Sequence, residues 1–205
     1  MLKNLKKEYG RKKKIIKSRL DEFSRINGNQ LFYELCFCIL TPQSNAKKCD
    51  LAVSTLKEKD FLKRNIKSDN IKQILKQKTR FYRNKSNYLK EMKNNYNILC
   101  DILSSDKFSS IKKREYLVNN VKGMGMKEAS HYLRNTGHKN LAILDRHILK
   151  NLKRYRAIDE IPKTMTKKHY LKIEEQFKKF SKRINIPMDE LDLLFWSMET
   201  GEVFK

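Results

Sequence analysis

With 205 residues, 39% of them hydrophobic, the chain carries enough apolar side chain to build a core, which excludes a purely disordered polyelectrolyte. Its 47 Lys and Arg against 23 Asp and Glu give a formal charge of +24, so the expected partner is a polyanion, nucleic acid foremost; a merely solvated Lys-rich surface would give the same count. The opening MLKNLKKEYGRKKK is basic without an apolar run, fits neither a signal peptide nor a membrane span, and leads us to expect a cytoplasmic protein.

In chain order, apolar residues return every three or four positions and predict helices almost throughout. Leu2, Leu5, Tyr9, Ile16, Leu20 and Phe23 make one stripe on a first helix that Gly10 weakens, and Asn27, Gly28 and Asn29 break the chain after it. Residues 31–40 are apolar nearly all round, as the helix at the centre of a core should be. Thr41 and Pro42 form a corner, and Ser44 is the expected cap of the helix bearing Ala46, Leu51, Ala52 and Leu56. Further helices are expected near 71–75, 85–96, 98–103, 110–121, 127–135, 146–154, 166–184 and 188–200, the last stopped by Gly201. Cys36, Cys38, Cys49 and Cys100 lack the spacing of a metal site or a disulfide framework and read as buried thiols.

Between two of these helices stands VKGMGMKEASHYLRN, an apolar-x-Gly-x-Gly turn with the small Ala129 beyond it. This is the pattern of a helix-hairpin-helix. Gly123 and Gly125 permit positive φ and close backbone approach to a phosphate, although a purely structural turn has the same composition. Lys127 falls in the first turn of the second helix, where the helix dipole and neighbouring cations disfavour an ammonium. A poor place for a charge is a good one for a nucleophilic amine; contact with solvent or a phosphate is the commoner fate of a lysine. Eighteen residues on, in LAILDRHIL, Asp145 opens a helix after four apolar residues, so it is an N-cap by pattern and, compatibly, a candidate catalytic carboxylate.

The segments KGMGMKEASHYLRN and LAILDRHIL, with ILTPQSNA upstream, resemble the helix-hairpin-helix DNA glycosylase superfamily, and within it the archaeal-type second family of 8-oxoguanine DNA glycosylase/AP lyases. The resemblance covers nearly the whole chain and implies an all-α, two-lobed fold with the active site in the interlobe cleft. One lobe would comprise 30–140, a helical barrel ending in the hairpin, and the other 1–29 with 141–205. It further implies that Lys127 is the Schiff-base nucleophile, Asp145 the catalytic carboxylate and Gln43 the wedge filling the space of the flipped nucleotide, with Gly123 and Gly125 gripping the DNA backbone. A helix-capping or turn-stabilising Gln43 stays open.

For the base pocket the resemblance favours Trp196 as a stacking face, with Phe81 a second candidate and core packing an equally good account of either. His131 and His147 read as packing or phosphate contacts. Val203 and Phe204 give the tail METGEVFK an apolar reason to fold back and carry Lys205 toward Trp196, where a frayed end is the alternative. The function implied is removal of 8-oxoguanine from duplex DNA with linked cleavage of the abasic site, by a monomer with no membrane association. No cofactor is required, a monovalent cation at the hairpin carbonyls is compatible, and no iron–sulfur cluster is expected because no cysteine follows Asp145. The rivals are a same-fold enzyme for oxidised pyrimidines and a non-catalytic hairpin DNA-binding module.

Overall fold

The computed structural model describes residues 2–205, and among them every regular element is a helix. In chain order these are α1 (Leu2–Ser24), α2 (Asn29–Leu40), α3 (Ala46–Glu58), α4 (Ser68–Leu75), α5 (Tyr82–Asn94), α6 (Tyr96–Ser104), α7 (Ser110–Asn120), α8 (Met126–Asn135), α9 (Arg146–Arg154), α10 (Lys167–Ile184) and α11 (Met188–Thr200). Among the described residues no helix is long and apolar enough to cross a membrane. The chain divides into two compact units, Ile26–Tyr132 and 2–25 together with Leu133–Lys205, with the boundary falling inside α8.

The unit Ile26–Tyr132 is built around α2. Phe32, Leu35, Cys36, Phe37, Cys38 and Leu40 are fully buried, so this helix presents apolar side chains in every direction and its neighbours α3 and α5 pack against it. The ring of Phe32 meets Tyr96 edge-on at 4.9 Å and Phe61 at 5.7 Å, bringing residues distant in the chain into one core. Cys49 is buried as well, whereas Cys100 is half-buried.

In the other unit α11 plays the same part, with α1, α9 and α10 around it. Phe195 stacks with Tyr155 at 5.6 Å and with Phe177 at 6.1 Å. From the predicted stripe of α1, Leu5, Ile16 and Phe23 are buried, Tyr9 donates a 2.6 Å hydrogen bond to Glu190, and Leu2 is exposed. Gly10 lies within the helix and does not interrupt it, because the buried residues on either side supply packing that outweighs its poor propensity.

Candidate functional site

The hairpin consists of α7, a turn over 121–125 and α8. Val121 ends α7 by donating its N–H to Leu117 O, and Met124 N–H returns to Val121 O at 3.2 Å. Gly123 has φ +85°, and a Cβ there would stand 2.6 Å from the Tyr88 ring, so both conformation and space require glycine. The expectation of two positive-φ glycines holds for Gly123 alone. Gly125 instead precedes α8 as its N-terminal flank, where a Cβ would meet Glu128 Oε2 at 3.2 Å. Lys122 reaches Glu91 at 3.1 Å, so α5 braces the turn through Tyr88 and Glu91 from one face.

Lys127 is the second residue of α8 and is partly buried. Its Nζ contacts a carboxylate, not another cation: Glu128 Oε1 lies 2.9 Å away. Glu128 Oε2 accepts from Gly125 N–H at 3.2 Å, the reach of a third-position glutamate back to the residue that opens its helix. One carboxylate thus satisfies a free helix-end donor, offsets the dipole and holds the amine. This answers how the helix tolerates a lysine there. Behind them Ala129 and Ser130 are fully buried, and His131 is buried with its ring edge-on to Phe37 at 5.7 Å, which makes that histidine a packing residue.

Asp145 caps α9. Its Oδ1 accepts at 2.8 Å from both His147 N–H and Ile148 N–H, which leaves Oδ2 without a hydrogen-bond donor among the described residues. The non-helical Leu141–Leu144 segment before it is buried and, together with Asn140, pinned from two helices. On α10, Tyr170 donates to Ala142 O and Glu174 accepts from Ala142 N–H at 2.8 Å; on α11, Asp189 accepts from Asn140 N–H at 3.2 Å. The carboxylate is therefore held by a backbone with few ways to move. Asp192, buried on α11, pairs with Arg134 at 3.1 Å; burial, and then the nearby Asp145 and Asp189 carboxylates against the pull of Arg134, push its pKa up to about 7. His147 is half-buried, its Nε2 3.3 Å from Arg146 Nε.

The corner after α2 differs in detail from the sequence expectation. Asn45, not Ser44, caps α3, accepting from Lys48 N–H at 3.0 Å. Ser44 Oγ is taken up by Thr79 Oγ1 at 2.9 Å, by Arg80 N–H at 3.0 Å and by Lys85 Nζ at 2.9 Å. Gln43 is exposed at φ +54°, and Phe81 is 53% exposed at φ +56° with the Arg80 guanidinium 5.2 Å from its ring centre. Two non-glycine residues that show polar or aromatic side chains to solvent from a left-handed backbone are candidates for function, not packing.

A family model described as 8-oxoguanine DNA glycosylase matches residues 16–186. The chain belongs to this family. An 8-oxoguanine DNA glycosylase/AP lyase of Fusobacterium nucleatum is 46% identical over 198 residues, covering 92% of this chain and 90% of that protein. One of Methanocaldococcus jannaschii is 39% identical over 199 residues, covering 94% and 93%. In solved structures, the M. jannaschii glycosylase/lyase in complex with a 15mer DNA containing 8-oxoguanine matches with a TM-score of 0.89 at 36% identity, over 100% of this chain and 99% of that one. The Thermotoga maritima 8-oxoguanine DNA glycosylase matches with a TM-score of 0.88 at 33% identity, over 100% and 98%.

Within this glycosylase-family chain the predicted site residues fall in both units. Gln43, Phe81, Gly123, Gly125 and Lys127 belong to Ile26–Tyr132, and Asp145, Trp196 and Lys205 to the other. Gly201 ends α11 in the left-handed region at φ +89°. Val203 is then buried and Phe204 lies against Trp196 with ring centres 6.2 Å apart, so the tail folds back as its apolar residues predict. Trp196 and Lys205 are both half-buried. Glu128 and Lys85 were not foreseen from sequence. The Gly-x-x-Glu spacing of the capping box was the available signal for the first; nothing marks the second among 47 basic residues.

Proposed function

We propose that this chain excises 8-oxoguanine from duplex DNA and then nicks the abasic strand, with Lys127 as nucleophile and Asp145 as the assisting carboxylate. The observation that carries the reading is the amine of Lys127, set beside Glu128 at the mouth of a glycine hairpin in a chain of this family. Gly123 and Gly125, exposed on the turn, grip the phosphate backbone without reading sequence, and the surplus of basic residues supplies salt-dependent affinity.

The lesion leaves the stack at a cost of a few kcal/mol. Gln43 fills the space it vacates, and Trp196, Phe81 and the tail at Lys205 receive the base. Lys127 Nζ, after passing a proton to Glu128, forms a bond to the sugar C1′ as the C1′–N9 bond breaks and its electron pair leaves with the base. Asp145, through the oxygen its cap leaves open, stabilises positive charge developing on the sugar and takes a second proton from the attached amine. Opening of the sugar ring gives an imine at C1′. Loss of a C2′ proton then expels the 3′ phosphate, and water hydrolyses the imine to release the lysine. These steps use protein groups and water, need no cofactor, and place the protein on the nucleoid.

The test is a single-turnover assay on duplexes that each carry one 8-oxoguanine, one oxidised pyrimidine or no lesion. Release of free 8-oxoguanine with a strand nick supports the reading. Preference for the pyrimidine lesion would move the substrate class, and binding without cleavage of any duplex would leave a DNA-binding module.

A further inference from the structure

Lys85, on the first turn of α5, is only 4% exposed. Its Nζ lies 2.7 Å from Leu40 O, 2.8 Å from Pro42 O, 2.9 Å from Ser44 Oγ and 2.7 Å from Thr79 Oγ1. Three ammonium protons are shared among four oxygens that converge on one point. Those oxygens belong to two corners of the chain, 40–44 after α2 and 79–81 before α5. The same corners are stitched directly by Thr79 Oγ1 to Leu40 O at 3.0 Å and by Arg80 N–H to Ser44 Oγ at 3.0 Å.

Each corner holds a non-glycine residue in the left-handed region, Gln43 at φ +54° and Phe81 at φ +56°, and both side chains are exposed. L-residues enter that region at a cost, and persist there only where surrounding structure over-determines them. Burial lowers the Lys85 pKa to about 8, so the lysine is itself an unfavourable choice of filler. A methionine would occupy similar space without that cost. It would not draw two backbone carbonyls and two hydroxyls together.

We infer that Lys85 is a positioning residue: its ammonium locks the Gln43 and Phe81 corners into one rigid edge that the lesion-extrusion step requires. The inference rests on reading Gln43 and Phe81 as DNA-side residues. The helix that carries Lys85 also braces the hairpin, through Tyr88 beneath Gly123 and Glu91 on Lys122, so α5 fixes that edge relative to the turn that leads to Lys127. Lys85 acts through these residues and does not itself reach the DNA.

The experiment compares wild type, Lys85→Met and the milder Thr79→Val, which removes one of the four oxygens around the ammonium together with the Thr79 links to Leu40 O and Ser44 Oγ. Amide hydrogen exchange read at 40–44 and 79–81 tests the clamp without reference to activity. Faster exchange at both corners together in the variants is expected, and unchanged exchange in a folded Lys85→Met protein would overturn the clamp. Single-turnover excision of 8-oxoguanine and nicking of a preformed abasic duplex then test its use, alongside 2-aminopurine fluorescence beside the lesion as a report of extrusion. Excision and the fluorescence change should fall by about tenfold or more, with abasic nicking reduced much less, since no base remains to be extruded. Equal losses on both duplexes, or undiminished excision, would overturn the positioning role. Failure of the wild type to excise 8-oxoguanine would instead count against the proposed function and leaves the exchange result standing. If Lys85→Met does not fold, the Thr79→Val comparison decides by the same criteria.

Discussion

Glu128 holds Lys127: one carboxylate oxygen is 2.9 Å from the amine and the other accepts the Gly125 N–H at 3.2 Å. The helix start and the proposed nucleophile therefore depend on the same side chain. Glu128→Gln keeps an acceptor for Gly125 but loses the charge that steadies Nζ and, in the proposed mechanism, receives its proton. Its stability should stay within about 0.5–1 kcal/mol of wild type, while single-turnover excision at neutral pH should fall by about 10²-fold. The variant's rate should climb through alkaline pH, where hydroxide takes over the deprotonation. Superimposable pH profiles for the two proteins would remove Glu128 from the chemistry.

Asp145→Asn separates capping from catalysis. Asparagine accepts the His147 and Ile148 N–H bonds nearly as well as aspartate, so α9 and the melting temperature should be little changed. Turnover on lesion DNA should drop by ~10²–10⁴, because the amide can neither stabilise positive charge nor take a proton. Near-normal turnover would reduce Asp145 to a cap.

The buried Asp192 makes stability respond to pH. Its folded pKa, raised by burial to about 7, lies above the ordinary aspartate value, so the folded protein binds a proton that the unfolded chain has lost. The resulting contribution is complete at acid pH and is lost as pH rises through about 7. Asp192→Asn lacks this titration and leaves Arg134 with a neutral partner. Urea unfolding of both proteins from pH 4 to 8 should show wild type losing stability relative to the variant as pH rises, whatever the constant offset between them. A difference that is flat across that range would mean the carboxyl is ionised throughout.

At the chain's end, the packing of Phe204 on Trp196 predicts a pocket role for Lys205. Guanine N7 accepts a hydrogen bond, whereas 8-oxoguanine carries a proton there, so an acceptor from the tail would discriminate by leaving a polar group unpaired against the normal base. Deleting Lys205 should weaken 8-oxoguanine excision much more than nicking of a preformed abasic site. Equal losses would signal general destabilisation.

Helices were legible where their ends are written in local chemistry. Asp145 and Thr166 cap α9 and α10, and Gly201 stops α11, because side-chain oxygens and a left-handed glycine act within a few residues. Where two adjacent residues could both cap, as Ser44 and Asn45, a tertiary demand decided: Ser44 is drawn to Thr79 and Lys85, 35 and 41 positions away. Gly10 was tolerated for a similar reason, packing at distant positions outweighing propensity. Of the candidate site, Lys127 and Asp145 stood out because each occupies a helix start with its own electrostatic signature. Lys85 did not, since only the folded chain brings four oxygens around one lysine of many, and a basic residue on a polar stretch reads as surface.

The proposed mechanism requires Lys127 to form a covalent imine with the lesion's sugar. Borohydride reduces such an imine to a stable protein–DNA adduct, so wild type and Lys127→Gln are to be incubated with borohydride and an 8-oxoguanine duplex and resolved by denaturing electrophoresis. A trapped adduct is expected for wild type and none for Lys127→Gln, which should still bind the duplex through an intact hairpin. An adduct of undiminished yield in Lys127→Gln, or no adduct from wild type while 8-oxoguanine is released, would contradict it.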